Sequence, residues 1–183
     1  MADRYTQVVI LCEDFMHFNF VRQYLILCGV EKRRIRGSVA PAGRGAGTQY
    51  VINSYPIEVQ AIRSKPHLHA GLVAVIDADT SSVDNRLRQL EQSLTKNDKP
   101  SRAVNERIGV LSLKRNIETW IFHLLGNAAN EDDDYKNRVS SSDIKPSVAT
   151  FSEMCPQGCD RIPLPSLRHA CEELTTFLGK AEL

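Results

Sequence analysis

The sequence predicts one three-layer α/β domain, with a mostly parallel sheet of about four strands and helices on both faces. Short, continuous apolar runs rich in β-branched residues, at 8–12 and 72–76, are typical of strands that are buried on both faces. Segments with apolar residues at helical spacing separate these runs. Strands that alternate with helices imply right-handed crossovers and a parallel sheet, and 183 residues are enough for one well-buried core.

Each predicted strand is an apolar run that ends near a polar residue, and each predicted helix carries its apolar residues on one stripe. The second helix contains Pro56, which either kinks it or starts a second piece. The strands are predicted at 8–12, 37–40, 72–76 and 108–113, and the helices at 15–28, 48–63, 83–94, 114–126 and 165–178.

The chain divides into two regions by composition. Residues 1–126 contain the alternating strands and helices. Residues 127–183 are predicted to be a polar excursion followed by a C-terminal amphipathic helix that packs on the same domain. The excursion covers 127–160 and includes the acidic run EDDD, so a long loop is expected there.

Composition and charge exclude several classes of protein. The formal net charge of +1 argues against a protein that coats nucleic acid unaided, although local basic clusters or a partner could supply the missing charge. No apolar stretch approaches the roughly 20 residues that span a bilayer, so no membrane association is expected. The first residues lack the pattern of a secretory signal, and five cysteines, an odd number, fit a reducing compartment. We therefore expect a cytoplasmic protein.

Three acidic residues follow predicted strands: Glu13 after the first, and Asp77 and Asp79 after the third. Parallel α/β sheets bind ligands outside the carboxyl ends of their strands, so these acids should lie at one edge. Residues two apart on an extended chain point the same way, which lets Asp77 and Asp79 reach one hard cation such as Mg²⁺. The alternative is that Asp79 caps the helix that begins near Ser82, while Asp77 and Glu13 are solvated loop residues.

Four short motifs occur in order along the chain. They are ILCED around Glu13, GAGTQYVINSYPIEVQAIR with a glycine-rich turn before a helix, VAVIDADT around the aspartate pair, and LSLKRNIETWI at the end of the fourth strand. Together they resemble the TOPRIM domain over roughly the first 125 residues, and most closely the small single-domain TOPRIM-like proteins related to OLD-family nucleases. The resemblance implies a Rossmann-like fold and metal-dependent hydrolysis of phosphodiester bonds in DNA or RNA. TOPRIM topoisomerases use a tyrosine from another domain, so hydrolysis is expected here rather than strand passage.

The resemblance also implies roles for individual acids. Asp77 and Asp79 would bind Mg²⁺ or Mn²⁺, and Glu13 would be a further ligand or the general acid/base for the leaving oxygen. Glu118, near the start of the helix after the fourth strand, would complete the catalytic metal site. Its alternative role is that of an exposed acid placed favourably at the positive end of a helix.

Basic residues supply the candidates for contacts with phosphate. Lys114 and Arg115 lie beside the expected metal site, where they would stabilise developing negative charge or simply be solvated at a strand end. Arg44 lies among glycines in the loop AGRGAG, which either holds a nucleic-acid phosphate or is a flexible connection. A dense basic run would bind the nucleic-acid backbone if it shared a rim with the acids, and is otherwise a solvated turn; it consists of Lys32, Arg33, Arg34 and Arg36.

The near-neutral charge and the lack of an accessory nucleic-acid-binding domain predict that a nuclease of this kind works with a partner. By resemblance, the partner would be an ATPase, the nucleic acid DNA rather than RNA, and the role defence against foreign DNA.

Two other classes stay open. One is a non-catalytic TOPRIM-like interaction module, which would have no reason to tolerate the repulsion among three acids. The other is a receiver-like regulatory domain, in which Glu13 and Asp14 supply an early acid pair and Lys114 the later lysine. The DAD motif together with Glu118 fits TOPRIM better.

A zinc site is the remaining question raised by the sequence. Cys155 and Cys159 are candidate ligands together with His169 and Cys171. However, C-x-x-x-C is unusual for a zinc knuckle, and His169 and Cys171 lie two apart on a predicted helix and hence on different faces. The sequence alone therefore favours no zinc site.

Overall fold

The computed structural model describes residues 5–43 and 46–179. The strands are β1 (Gln7–Cys12), β2 (Ile35–Val39), β3 (Ala70–Asp77) and β4 (Ile108–Leu113). They form one parallel sheet in the spatial order β2-β1-β3-β4, which confirms the predicted α/β class. The α-helices in the described chain are α1 (Phe15–Leu27), α2 (Gly47–Arg63), α3 (Val83–Lys96), α4 (Ile117–Leu124), α5 (Ile144–Met154) and α6 (Pro165–Gly179).

Alternate side chains of the strands enter two cores, because successive residues of a strand point to opposite faces of the sheet. On one face, Val8 and Ile10 belong to a core with residues of α1, α4, α5 and α6. On the other face, Val9 and Leu11 belong to a core with residues of α2 and α3. All eight residues of β3 are buried, so this strand lies at the centre of both layers.

The predicted long loop at 127–160 is wrong in part, because Ile144–Met154 forms α5. Phe151 of α5 packs against Tyr24 of α1, with ring centroids 5.0 Å apart. The apolar stripe of this helix is short, and the polar residues around it hid it in the sequence. Its apolar members, all buried, are Ile144, Val148 and Phe151.

Two further boundaries differ from the prediction. β2 is shifted towards the N-terminus, at Ile35–Val39 instead of 37–40. α2 is one helix that contains Pro56, so proline does not start a second piece. The buried face of α2 holds Pro56 between Val51 and Val59, and packing against the sheet compensates for the backbone hydrogen bond that proline cannot donate.

The C-terminal helix α6 packs on β4 and on the start of the chain. The hydroxyl of Tyr5 donates a hydrogen bond of 2.6 Å to the carbonyl oxygen of Phe177, and the two rings stack with centroids 4.8 Å apart. Gly71 in β3 makes room for both rings, since a Cβ atom there would lie 2.7 Å from each. No helix in the described part of the chain, α6 included, is long and apolar enough to cross a membrane.

Glu173 fastens α6 to the neighbouring β4. Its carboxylate accepts hydrogen bonds from the Arg102 guanidinium at 2.7 Å and from the backbone N–H of Val110 at 2.9 Å. Burial opposes ionisation of Glu173, but these two donors outweigh it and lower the pKa of Glu173 below its usual value. The ionised carboxylate therefore stabilises the packing of α6.

We expect Glu173→Gln to lower the free energy of unfolding by about 1–3 kcal/mol at pH 7, because Arg102 loses its charged partner. The folded pKa lies below the unfolded one, so the contribution is present above the ordinary carboxylate pKa and is lost as pH falls through the lowered value. Urea unfolding across this pH range measures the difference. Glu172→Gln, at the exposed neighbouring position, is the control. A deficit that stays constant down to acidic pH would contradict the assignment.

Candidate functional site

The strand order gives the carboxyl edge of the sheet a switch point between β1 and β3, and we refer to this place as the crevice. β1 lies between β2 and β3, so the chain crosses from β1 to one side and later reaches the other side with β3. Parallel α/β sheets bind ligands outside the strand ends at such a switch point. Glu13 directly follows β1, and Asp77 is the last residue of β3. The topology thus brings these two acids together.

Glu13 is held in a fixed position at this crevice. Its carboxylate accepts a hydrogen bond of 2.8 Å from the backbone N–H of Asp77 and one of 3.1 Å from the hydroxyl of Thr48. Gly47 approaches closely, since a Cβ atom there would lie 2.9 Å from Oε2 of Glu13. Burial and the neighbouring Asp77 raise the pKa of Glu13 to about 6. The solvated-loop alternative does not describe this residue.

Asp77 is paired with a buried histidine. Oδ1 of Asp77 lies 3.0 Å from Nε2 of His17, which is fully buried on α1. Asp14 is the N-cap of α1, accepts the backbone N–H of His17 at 2.9 Å and lies 3.4 Å from its Nδ1. Burial opposes a charge on His17, but Asp77, Asp14 and Glu13 outweigh it and raise the pKa of His17 to about 9. A protonated His17 therefore places a positive charge among these carboxylates.

His17 is not among the site residues predicted from the sequence, and Asp14 is predicted only for the receiver-like alternative. The apolar residues at helical spacing in this segment are Phe18, Val21, Leu25 and Cys28, of which Val21 and Leu25 are buried, and a polar residue such as His17 does not enter a pattern of apolar residues. The signal that finds His17 is a histidine one helical turn after a strand-ending acid, in line with the buried stripe. That stripe consists of His17, Phe20, Val21, Tyr24 and Leu25.

Asp79 departs from the predicted geometry. β3 ends at Asp77, and Asp79 has φ of +49°, so the chain is not extended from Asp77 to Asp79. The expectation that the two carboxylates lie two apart on one extended chain is therefore wrong. Aspartate tolerates this left-handed conformation better than most residues. The cap of α3 is Ser82, whose hydroxyl accepts the N–H of Asn85 at 3.1 Å. Asp79 is exposed, and its charge repels the charge of Asp77, so it stands at the rim of the same crevice.

Glu118 reaches the same crevice from the first turn of α4. Burial, together with repulsion from Asp14 and Asp77, raises the pKa of Glu118. It is half-buried, in contrast to an exposed helix acid. We refer to the five acids of this edge as the acidic cluster: Glu13, Asp14, Asp77, Asp79 and Glu118.

The two basic residues after β4 point to different neighbours. Nζ of Lys114 lies 3.5 Å from the carbonyl oxygen of Ser81, in the loop that contains Asp79. Lys114 is therefore on the carboxyl edge, beside the rim of the crevice. Arg115 exerts its charge on Asp134, in the irregular segment after α4. Of this pair, Lys114 is better placed to act on a ligand of the acidic cluster.

The dense basic run lies at the opposite edge of the sheet. Lys32–Arg34 form a short 3₁₀ helix that leads into the amino end of β2, whose Arg36 is in register with Val9 of β1. With about 3.3 Å per strand residue, roughly 15–20 Å separate this run from Glu13. The shared rim that a common phosphate path requires is not found. Arg44 lies outside the described residues.

Comparisons of the chain with protein-family models, with curated proteins and with solved structures gave no match. Functional inference therefore depends on the chemistry and geometry of the site itself.

We expect His17→Leu to lower the free energy of unfolding by about 3–5 kcal/mol at pH 7, because the buried Asp77 carboxylate loses its partner. Adding Asp77→Asn should recover part of this loss, because it removes the unpaired charge. A double-mutant cycle measured by urea unfolding tests the coupling. His67→Leu, at an exposed histidine, is the control. Simple additivity of the two substitutions would show that the contact between His17 and Asp77 carries no interaction energy.

Proposed function

We propose that the protein is a Mg²⁺- or Mn²⁺-dependent nuclease that hydrolyses phosphodiester bonds, with the acidic cluster as its metal site. The observation that carries the proposal is the convergence of acids from the ends of β1 and β3 and the start of α4 on one crevice. Enclosing Glu13 and Asp77 side by side costs stability through burial and repulsion. A divalent cation bound by these acids would offset that cost.

The donor set fits a hard divalent cation in the type of its ligands. Its members are carboxylate oxygens, the ligands that Mg²⁺ and Mn²⁺ prefer. In the described chain no three of these carboxylates lie within 4.8 Å of one another, so their side chains would draw together around the ion. His17 engages one oxygen of Asp77 and leaves the second for a ligand. Asp79 is exposed at the rim, and Glu118 is half-buried and feels the charge of Asp77. Asp77, Asp79 and Glu118 would hold the cation, with Glu13 as a further ligand or as the proton carrier.

The surrounding residues orient the acids for this chemistry. When bound, the cation would polarise a phosphoryl oxygen and shield the charge on the leaving oxygen. His17 fixes the orientation of Asp77, as hydrogen-bonded neighbours of metal ligands do. Thr48 and the backbone of Asp77 orient Glu13, and its pKa of about 6 lets this carboxyl hold or accept a proton near neutral pH. Lys114, on the same edge, is the candidate for stabilising developing negative charge.

We further propose DNA rather than RNA as the substrate and a protein partner such as an ATPase, both from the TOPRIM resemblance. The charge distribution supports the need for a partner, because the net charge is only +1 and the basic run lies away from the acids. Near the crevice, Lys114 and Arg115 supply contacts to phosphate, and the partner supplies the rest. A cytoplasmic location and a role in defence against foreign DNA belong to the same proposal.

The strand order β2-β1-β3-β4 is also that of receiver-type regulatory domains, in which a central strand-ending aspartate accepts phosphate. Two contacts favour the nuclease over this alternative. Asp77, the residue that would be modified, is 8% exposed and bonded to His17. Lys114 contacts the carbonyl oxygen of Ser81 instead of Asp77.

Supercoiled plasmid, linear duplex, single-stranded DNA and RNA, each incubated with Mg²⁺ or Mn²⁺, test the activity. We expect DNA cleavage that EDTA abolishes. Asp77→Asn and Glu13→Gln should each slow cleavage by about 100-fold or more, the usual effect of removing a group from a preorganised catalytic site.

Two exposed aspartates provide a test position and a matched control position. Asp79 and Asp98 both have positive φ, +49° and +54°, which asparagine also tolerates. Asp98 follows α3 and so lies at the opposite edge of the sheet. Asp79→Asn should slow cleavage and Asp98→Asn should not. Equal effects of the two, or activity that survives Asp77→Asn, would contradict the proposed site.

Thermal unfolding tests metal binding apart from cleavage. Mg²⁺ or Mn²⁺ should raise the Tm of the wild type, since the ion binds the folded state, and should raise that of Asp77→Asn less. Stabilisation by metal without cleavage of any of these substrates would favour the interaction module instead. No stabilisation by either ion would overturn the metal site.

A further inference from the structure

The structure brings three cysteines together away from the acidic cluster. Cys155 follows the end of α5, Cys159 begins a short 3₁₀ helix, and Cys171 lies within α6. Their sulfur atoms all lie within 4.8 Å of one another, and all three residues are buried. His169, which the sequence offers as a fourth candidate ligand, is not part of this sulfur cluster.

The local backbone is shaped to make this convergence possible. The turn between Cys155 and Cys159 is tight, with the N–H of Gly158 donating to the carbonyl oxygen of Met154 at 2.7 Å. A Cβ atom at position 158 would lie 2.9 Å from that same oxygen, so the close approach requires glycine. The Cα atoms of Cys155 and Cys159 then lie 5.8 and 5.6 Å from that of Cys171.

Three adjacent cysteines can form a disulfide or bind a metal ion, and the valence of sulfur distinguishes these two possibilities. Cys171 is within bonding reach of both Cys155 and Cys159, but one sulfur atom forms one disulfide. A disulfide would therefore use two of the sulfurs and leave the third as a buried thiol. A thiophilic cation would use all three at once, because soft thiolates are the ligands that Zn²⁺ prefers.

We propose that Cys155, Cys159 and Cys171 form a structural Zn²⁺ site. The three thiols bind as thiolates, so three protons leave and the site carries a net charge of −1 with a neutral fourth ligand. The C-x-x-x-C pair falls within the spacing of two to four residues found in zinc sites, and the third ligand comes from α6. A fourth ligand would come from outside these three side chains, and the adjoining cavity of about 270 Å³, lined in part by Cys28, Cys155 and Thr175, has room for a water molecule in that role.

This site would fix the end of α5 to the middle of α6. The short connection between these helices has no strand pairing to hold it. One metal ion bound by residues on both sides of that connection would stabilise the folded state, because the site does not exist in the unfolded chain. The proposal is independent of the nuclease proposal, because no residue is shared between the two sites.

Titration of the reduced, metal-free full-length chain with Co²⁺ tests the proposal, since cobalt reports thiolate ligands by an intense charge-transfer absorption. We expect the charge-transfer band, which Co²⁺ bound to carboxylates would not produce, to saturate at one Co²⁺ per chain and to disappear when Zn²⁺ displaces the cobalt. Cys171→Ser should abolish the band, and the band should weaken as pH falls because protons compete for the thiolates. Cys12→Ser is the control, a cysteine of β1 outside both the cluster and its cavity, and should retain stoichiometric binding.

A second measurement needs no variant and so does not depend on whether Cys171→Ser folds. Wild-type protein purified without chelator should contain close to one zinc per chain, and removal of the metal should lower its Tm. A band that persists in Cys171→Ser would overturn the site. So would metal-free protein in which mass spectrometry finds a disulfide between two of the three cysteines, which would assign the cluster to redox chemistry.

Discussion

The placement of β1 between β2 and β3 is the constraint on which the rest of the structure depends. Because the first crossover turns to one side of β1 and β3 lies on the other, no connection closes over the carboxyl ends of these two strands. Their interiors are apolar and buried on both faces, so polar groups can enter only at the ends. Glu13 and Asp77 stand at those ends, and every other member of the acidic cluster is arranged around them.

The internal partners of the cluster are distributed unevenly. Two unit charges 4 Å apart repel by roughly 4 kcal/mol at an effective dielectric constant of 20, so enclosed acids need compensation. Glu13 has Thr48 and a backbone N–H, and Asp77 has the imidazole of His17. These groups serve the two most enclosed acids. Asp79 is exposed and Glu118 is half-buried, so these two acids are less enclosed than Asp77.

Much of this arrangement is predictable from the sequence, because buried strands leave a plain signal. Apolar runs located β3 and β4 closely, and the rule that ligands lie at strand ends placed Glu13 and Asp77 correctly on one edge. Asp79 was predicted in the right region, but the reason given was wrong. The prediction assumed that Asp77 and Asp79 lie on one extended chain, whereas Asp79 has a left-handed backbone conformation. The position of the Glu118 side chain depends on how α4 lies relative to the sheet, which the spacing of residues in the sequence does not determine.

Other features depend on tertiary contacts, or on deductions that the sequence pattern allowed but did not require. His17 lies on the buried face of α1 with Val21 and Leu25, but a polar side chain on that face is not detected by a pattern of apolar residues. α5 has only a short apolar stripe, so its existence depends on packing against α1 and α4. The position of the basic run could have been deduced from the sequence. Residues that precede a strand lie at its amino end, whereas the acids follow their strands and lie at the carboxyl end.

The C-terminal segment is part of the scaffold of the acidic cluster, although composition separates it from the α/β region. The indole N–H of Trp120, two residues after Glu118, donates to the hydroxyl oxygen of Ser166 at 2.8 Å, and Ser166 in turn donates to Glu131. The start of α6 therefore helps to fix α4, and α5 packs against both α1 and α4, the helices that carry His17 and Glu118. Substitutions far from the crevice can thus displace these two side chains. If the proposed activity is lost in a variant of the C-terminal segment, misplacement of the acids explains that loss without any direct role of the substituted residue.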